Sequence, residues 1–387
     1  MPKPKLLFSS VAAQDKLHKN FKYIASSPNH IASRRVLQQI FESLPKPDGN
    51  FVLDFQTTGF DARIWELYLA ALFNSLGFSL TQPADRPDFL LSCDGTTIWV
   101  EATTANPTQD ASLGPSIQSA PAGSDSPFWD EFEKVTIKLG SALWSKLRKE
   151  YWKLSHVAGH PLVFAIQDFH DPNPLRSSFH ALERYLYGFH FELTSRPGDY
   201  VDYELHGLEV HRSGSKEIPA GFFNQPDSEH VSAVLFSNAA TITKFNRMEL
   251  QKGGYETVRA MRSGIRYDSN PTAMIAAPFA YIAGDRIETW GEEAILFHNP
   301  NAKFPIALGL FPEIAEVAVI DGEFLHTVPS FHPMMSITQV AVGTPKNIAN
   351  AERALRIRGA EFVERYRQDV PELMRTVTEI HSRWSSK

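Results

Sequence analysis

The chain has 387 residues, 43% of them hydrophobic and 12% aromatic. At about 150 residues per domain that is enough for two or three domains, or one large elaborated one, around a well-packed core. A single cysteine, Cys93, excludes an internal disulfide and any multi-cysteine zinc site, and the balance of 38 Lys and Arg against 44 Asp and Glu, net −6, means that any nucleic-acid site has to be a local patch.

The opening MPKPKLLFSS lacks an apolar stretch of signal-peptide length and a small-residue cleavage site. No apolar run approaches the roughly 18 residues of a membrane helix. A soluble, cytoplasmic protein without membrane contact is expected. Residues 1–50 are locally basic, with eight Lys and Arg against three acids. Ser27-Pro28 suits the start of a helix, and Val36, Leu37, Ile40, Phe41 and Leu44 repeat at helical spacing up to Pro45. This reads as a docking helix rather than a DNA-binding arm.

Residues 61–76, DARIWELYLAALFNSL, carry the strongest early helix signal, with Asp61 at the N-terminus and Gly77 at the C-cap. FSLTQ, DFLLSC and TTIWVEATT follow as strands. Asp94-Gly95 separates the last two, and an Asp-Gly pair between apolar runs predicts a two-residue hairpin turn. Cys93 then faces Thr96, and stepping outwards along both strands brings Asp88 opposite Glu101. Alternation puts Phe89, Leu91, Cys93, Ile98, Val100 and Ala102 on a core face. It puts Asp88, Leu90, Trp99, Glu101 and Thr103 on the other.

The proline-rich stretch 104–127 reads as a loop and residues 128–154 as a long helix, with Phe132, Val135, Leu139, Leu143 and Leu147 on one side. PLVFAIQDF is a buried strand and SSFHALERYLYG a short helix. Between 190 and 345 the signals are mostly β: VSAVLFSN, TAMIAAPFAYIAG, EEAILF and EVAVIDGEF. The last 40 residues are helical and Arg-bearing, restarting at Pro371. The expected organisation is an N-terminal helical segment (1–50), an α/β core (51–190), a β-rich elaboration able to continue the core sheet (191–345) and C-terminal helices (346–387).

Two facing carboxylates beside a threonine form an oxygen-rich site for a hard divalent cation such as Mg²⁺, which typically takes one or two protein carboxylates. Glu66 adds a third acid on a partly apolar helix face, where an unpaired charge is costly. Its alternative is an ordinary ion pair to Arg63, three residues earlier. His156-Val-Ala-Gly-His160 lacks the helical HExxH glutamate, and His206/His211 and Asp168/His170 match no named site. His298-Asn299-Pro300-Asn301 reads as a turn, and Trp65 and Trp99 as core residues. GxSxG, P-loop and GxGxxG motifs are absent.

Glu66 in RIWELYL, Pro87-Asp88 in RPDFLL, Glu101 in IWVEATT and the αβββαβ order over 61–168 resemble the PD-(D/E)XK nuclease superfamily, across about a hundred residues. The resemblance implies a restriction-endonuclease-like fold: a mixed sheet with helices, plus an α+β elaboration. It implies a Mg²⁺-dependent nuclease, with Mn²⁺ as substitute, acting on nucleic acid and first of all DNA, in defence or repair. Asp88, Glu101 and Glu66 would bind the metal, with the Ala102 carbonyl as a further ligand. The family lysine two residues beyond the glutamate is here Thr103. Some members carry that lysine on the following helix, which here offers Lys134, Lys138, Lys146 and Lys149. Lys146 shares the stripe of Leu139 and is the favoured replacement, with Lys138 second. Gln167, at the end of the next strand, is a lesser candidate. The alternative is a non-catalytic member of the fold, serving as a nucleic-acid-binding or protein-interaction module. A glycoside hydrolase using paired carboxylates is a further rival, without a sugar-binding pattern behind it.

Overall fold

The computed structural model describes residues 6–106, 126–169, 178–196, 200–268 and 276–384. Four helices come first: α1 (Lys19–Ser26), α2 (Ile31–Ser43), α3 (Phe51–Gln56) and α4 (Phe60–Ser75). Ser27 caps a 3-10 turn, Pro28–His30, that leads into α2, so the N-terminal segment holds two helices where the apolar spacing announced one. α4 is buried nearly all round, since it lies between the sheet and the helices before it. Gly77, at φ 86°, closes it, with the Phe78 N–H reaching back to the Phe73 carbonyl at 3.1 Å.

Three antiparallel strands follow: β1 (Ser79–Thr81), β2 (Phe89–Cys93) and β3 (Thr96–Ala105). Asp94 and Gly95 turn at φ 47° and 81°, which fixes the pairing of Cys93 with Thr96 and of Phe89 with Val100. α5 (Ser126–Leu147) precedes β4 (Leu162–Asp168), which lies parallel to β3, and α6 (Ser178–Tyr187) follows. Two hairpins come next, β5 (Phe189–Arg196) with β6 (Tyr200–Gly207) and β7 (Val210–Ser213) with β8 (Lys216–Pro219). Most of the expected loop 104–127, together with His170, lies outside the described residues.

The chain then builds β9 (Ala233–Ser237), α7 (Ile242–Leu250), β10 (Val258–Arg266), β11 (Ala277–Ile282) and β12 (Ala294–His298). It ends with β13 (Ala315–Ile320), β14 (Glu323–Thr327), β15 (Pro333–Val342) and α8 (Ile348–Trp384). An eight-stranded mixed sheet runs β1-β2-β3-β4-β9-β12-β13-β14, and a three-stranded sheet runs β11-β10-β15. VSAVLFSN thus extends the core sheet through β9, parallel to β4. The β signal EVAVIDGEF is a hairpin, because Asp321-Gly322 turns as Asp94-Gly95 does, at φ 52° and 84°. The C-terminal segment is one helix of 37 residues passing through Pro371. Proline's φ is itself helical, so what the chain gives up there is one hydrogen bond, not the helix.

The large sheet is covered on both faces. Phe89, Leu91, Ile98, Val100, Val163 and Leu235 pack against α1–α4 on one side. Trp99, Phe164, Ile166, Val234 and Phe297 pack against α5 and α6 on the other. The face expected to carry the acidic site, with Trp99 as a core residue, is thus a core face, and Glu101 is buried within it. α8 lies across the smaller sheet at Gly359, where a Cβ would stand 2.9 Å from both Ala280 Cβ and Met261 Sδ. Among the described residues, no helix is long and apolar enough to cross a membrane.

Candidate active site

Glu101 sits in the middle of β3, 5% exposed, on the face that meets α5. Its Oε1 accepts two short hydrogen bonds, from Lys146 Nζ at 2.5 Å and from the Tyr151 hydroxyl at 2.6 Å. Its Oε2 is buried without a hydrogen-bond partner. Lys146 comes from the last turn of α5, one position before Leu147, and the helical period that buries Leu139, Leu143 and Leu147 swings it to the edge of that stripe. Tyr151 was missed from the sequence. It stands beyond the helix end, after Glu150 in the left-handed region at φ 51°, on a 3-10 turn that folds back under the sheet. Its own packing against Phe164 was the available signal, an aromatic following an apolar stripe by four residues.

Asp88 lies one residue before β2. Its Oδ2 accepts the Ala102 N–H at 2.7 Å and it makes no ion pair among the described residues. Burial pushes its carboxyl up to about 7, helped by the charges of Glu101 and Glu66, against the Ala102 N–H and Lys146. Burial and the Glu101 carboxylate also push the Tyr151 phenol well up, so it stays a donor. Thr103 is half-buried two residues after Glu101 on the same strand.

Glu66 does not join these two as a third free ligand. Arg63 grips both its oxygens, at 2.9 and 3.1 Å, and the same guanidinium binds Asp54 and Asp48. The ordinary ion pair is thus the observed arrangement, for the reason that a half-buried carboxylate on an apolar face needs a counter-charge. Burial still raises the Glu66 carboxyl above its usual range, more than Arg63 lowers it. Nor do the three acids close into a tight triad. Among the described residues, the single group of three His, Cys, Asp or Glu ligand atoms within 4.8 Å of one another is Asp227, Glu229 and His230, where Lys303 already binds Glu229 at 3.0 Å.

Lys138 is half-buried and makes no ion pair among the described residues; it does not reach Glu101. Gln167 is fully buried and bonds backbone, accepting from the Ala240 N–H at 3.4 Å. Trp65 is buried and donates to the Ala165 carbonyl at 3.1 Å. Trp99 is buried and packs against His156, 5.0 Å between ring centres with the rings tilted, and His160 is exposed on a turn. Asn299 is buried, tying the Ser228 and Val231 carbonyls, as its turn position suggested.

A second buried charge cluster was not anticipated. Lys244 and Arg247 of α7, Arg262 of β10 and Glu288, Glu292 and Glu293 before β12 are all at least nine-tenths buried. Arg262 contacts Glu292 at 2.7 Å, Glu293 at 2.5 Å and Glu288 at 3.2 Å, while Lys244 and Arg247 reach Glu288 at 2.9 and 2.8 Å. Its signal was the period-two face Val258, Ala260, Arg262, which places an arginine in line with core residues.

No family model, curated protein or solved structure matches the chain.

Proposed function

We propose that this chain is a metal-dependent nuclease that hydrolyses phosphodiester bonds of DNA, built on the restriction-endonuclease-like core of the PD-(D/E)XK superfamily. The observation that carries this reading is the unpartnered, buried Oε2 of Glu101 beside Asp88, a carboxyl with no cation of its own. The order α4-β1-β2-β3-α5-β4, with β3 parallel to β4, supports it. So does Lys146, which supplies at Glu101 the positive charge that Thr103 cannot.

The donor set suits Mg²⁺, or Mn²⁺ in its place, since Asp88, Glu101 and the Ala102 carbonyl offer oxygen alone. The chemistry an ion held there would supply is polarisation of the scissile phosphodiester and a lowered pKa for an attacking water. The chain's own groups do the rest. Tyr151 and Lys146 fix Oε1 of Glu101, so that Oε2 is the free edge of that carboxylate. The Ala102 N–H holds Oδ2 of Asp88. Lys146 uses one of its three N–H groups on Glu101 and keeps the others for a phosphate oxygen or the attacking water. The Thr103 hydroxyl can hold that water. Glu66, neutralised by Arg63, shapes the field at Asp88.

The test is cleavage of supercoiled and linear DNA with Mg²⁺ or with a chelator. Wild-type protein should cut only with the metal. Glu101→Gln and Lys146→Ala should each lose roughly 100- to 1,000-fold, the scale of removing one fixed transition-state donor. Retained activity in Lys146→Ala, with loss in Lys138→Ala, would transfer the role to Lys138. Full activity in both would remove the lysine assignment. A second reading, a non-catalytic member of the same fold, draws on Thr103 and on the engagement of Lys146 by Glu101. Absence of cleavage by wild type on every nucleic acid tried would favour it.

A further inference from the structure

The face of α5 turned away from the sheet carries Trp144, which is 41% exposed. With Ser141, Ser145, Arg148 and Lys149 it lines a polar cleft that contains no acidic side chain. Trp144 and Arg148 are one helical turn apart and so lie side by side. Arg148 and Lys149 are exposed and form no ion pair among the described residues, and the adjacent Glu150 is taken by Lys153 at 2.7 Å. Lys216 adds a further cation at the edge, donating to the Ser141 hydroxyl at 2.9 Å. Trp65, Trp99, Trp152 and Trp290 each have a ring partner. Trp144 has none among the described residues.

We infer that this patch docks single-stranded DNA, with an unpaired base stacked on Trp144 and its flanking phosphates held by Arg148 and Lys149. The inference takes its class of polymer from the nuclease reading and sharpens it: the substrate is single-stranded, or locally unwound, where it approaches the site. Cations alone would serve a duplex equally well. An exposed indole adds something only where a base face is free, and such stacking is tolerant of sequence. Trp144 and Lys146 are two residues apart on the same helix and so project to roughly opposite sides of it, Lys146 toward Glu101, so a strand held on Trp144 has to pass round the end of α5 to reach the site.

The test is fluorescence anisotropy in a chelator, where no cleavage occurs, with an oligothymidylate of about 12 nucleotides, within the range of single-strand site sizes, and a duplex of the same length. Wild type should prefer the single strand. Trp144→Ala should weaken it roughly 5- to 100-fold and leave duplex binding unchanged, while Trp144→Phe keeps most of the affinity. The double variant Arg148→Ala, Lys149→Ala should flatten the salt dependence by a slope of roughly 1.4, two phosphate contacts on a single strand. Wild-type affinity in Trp144→Ala, equal binding of duplex and single strand, or no binding at all would overturn the proposal. Binding through Trp144 without cleavage by the wild type would sink the nuclease reading alone. Cleavage with binding indifferent to Trp144 would sink this inference alone.

Discussion

Around Arg262, three buried carboxylates meet three buried cations; around Glu101, two carboxylates meet one lysine. Both clusters set carboxylates against cations away from bulk water, yet Glu288 and Glu293 in the one and Asp88 in the other shift in opposite directions. Burial alone would push Glu288 up, but Arg247, Lys244 and Arg262 outweigh it and hold its carboxyl well below the usual range. Glu293 is lowered in the same way, chiefly by Arg262. Asp88, with burial and two neighbouring carboxylates acting on it, goes up to about 7. What separates the clusters is charge balance. A closed network of matched charges locks α7, β10 and the segment before β12 together. At Asp88 and Glu101 the carboxyls outnumber the single lysine, and Oε2 of Glu101 is buried without a hydrogen-bond partner.

The largest expected effect breaks the balanced cluster. Arg262→Ala takes the central cation from Glu288, Glu292 and Glu293, leaving Lys244 and Arg247 on Glu288 and the half-buried Arg286 on Glu292. Removing one partner of a buried ion pair typically costs about 3–5 kcal/mol, so this variant should lose that much in denaturant unfolding. A loss below about 1 kcal/mol would mean that the network relaxes or is hydrated, and the contrast with Glu101 would lose its structural half.

The opposite sign is expected at Asp88. Its folded value of about 7 lies above the ordinary 3.8, so ionising it disfavours the metal-free fold. That penalty is absent below about pH 4, grows as pH rises and is complete above about 7. Asp88→Asn should therefore stabilise the metal-free protein at pH 8 by about 1–3 kcal/mol and leave it nearly unchanged at pH 4. The ceiling follows from about 1.4 kcal/mol per pH unit, discounted because the carboxyl is only half-buried. The same variant should lose Mg²⁺ binding by calorimetry, and wild-type affinity should rise between pH 6 and 8 as Asp88 gives up its proton. A destabilised Asp88→Asn at pH 8 would show that the carboxylate already has a cation.

The two clusters also differ in how far the sequence announces them. The Asp94-Gly95 turn alone sets the register of β2 and β3, since both turn residues need positive φ, and from that register the proximity of Asp88 to Glu101 follows. Lys146 is legible through helical period. The identical Asp321-Gly322 turn carries the same information for β13 and β14. Glu66 resists because its partner Arg63, on the same helix, is also bound by Asp54 of α3 and by Asp48 before it, and only the packed fold decides whether the ion pair or the open site wins. The Arg262 network is illegible for the same reason at longer range. Its six charges come from segments up to 49 residues apart, and each except Arg262, which falls in line with Val258 and Ala260, looks like an ordinary surface charge when taken alone.

The smallest effect separates positioning from structure at Glu101 itself. Tyr151→Phe removes the hydroxyl that Glu101 Oε1 accepts at 2.6 Å but keeps the ring against Phe164. Lys146 still binds that oxygen, so no charge is left wholly unpaired and the expected loss in unfolding free energy is only about 1 kcal/mol, the net worth of an ordinary hydrogen bond. Metal affinity should move further. With one of its two anchors gone, the carboxylate can swing, and its Oε2 is no longer held as the free edge facing Asp88. Partners that orient a metal ligand are typically worth about 10- to 100-fold in affinity, so Mg²⁺ titration of Tyr151→Phe should fall by at least about tenfold. If stability drops as expected while Mg²⁺ affinity stays at the wild-type value, Tyr151 merely supports β3, and the open edge of Glu101 is not what holds the cation.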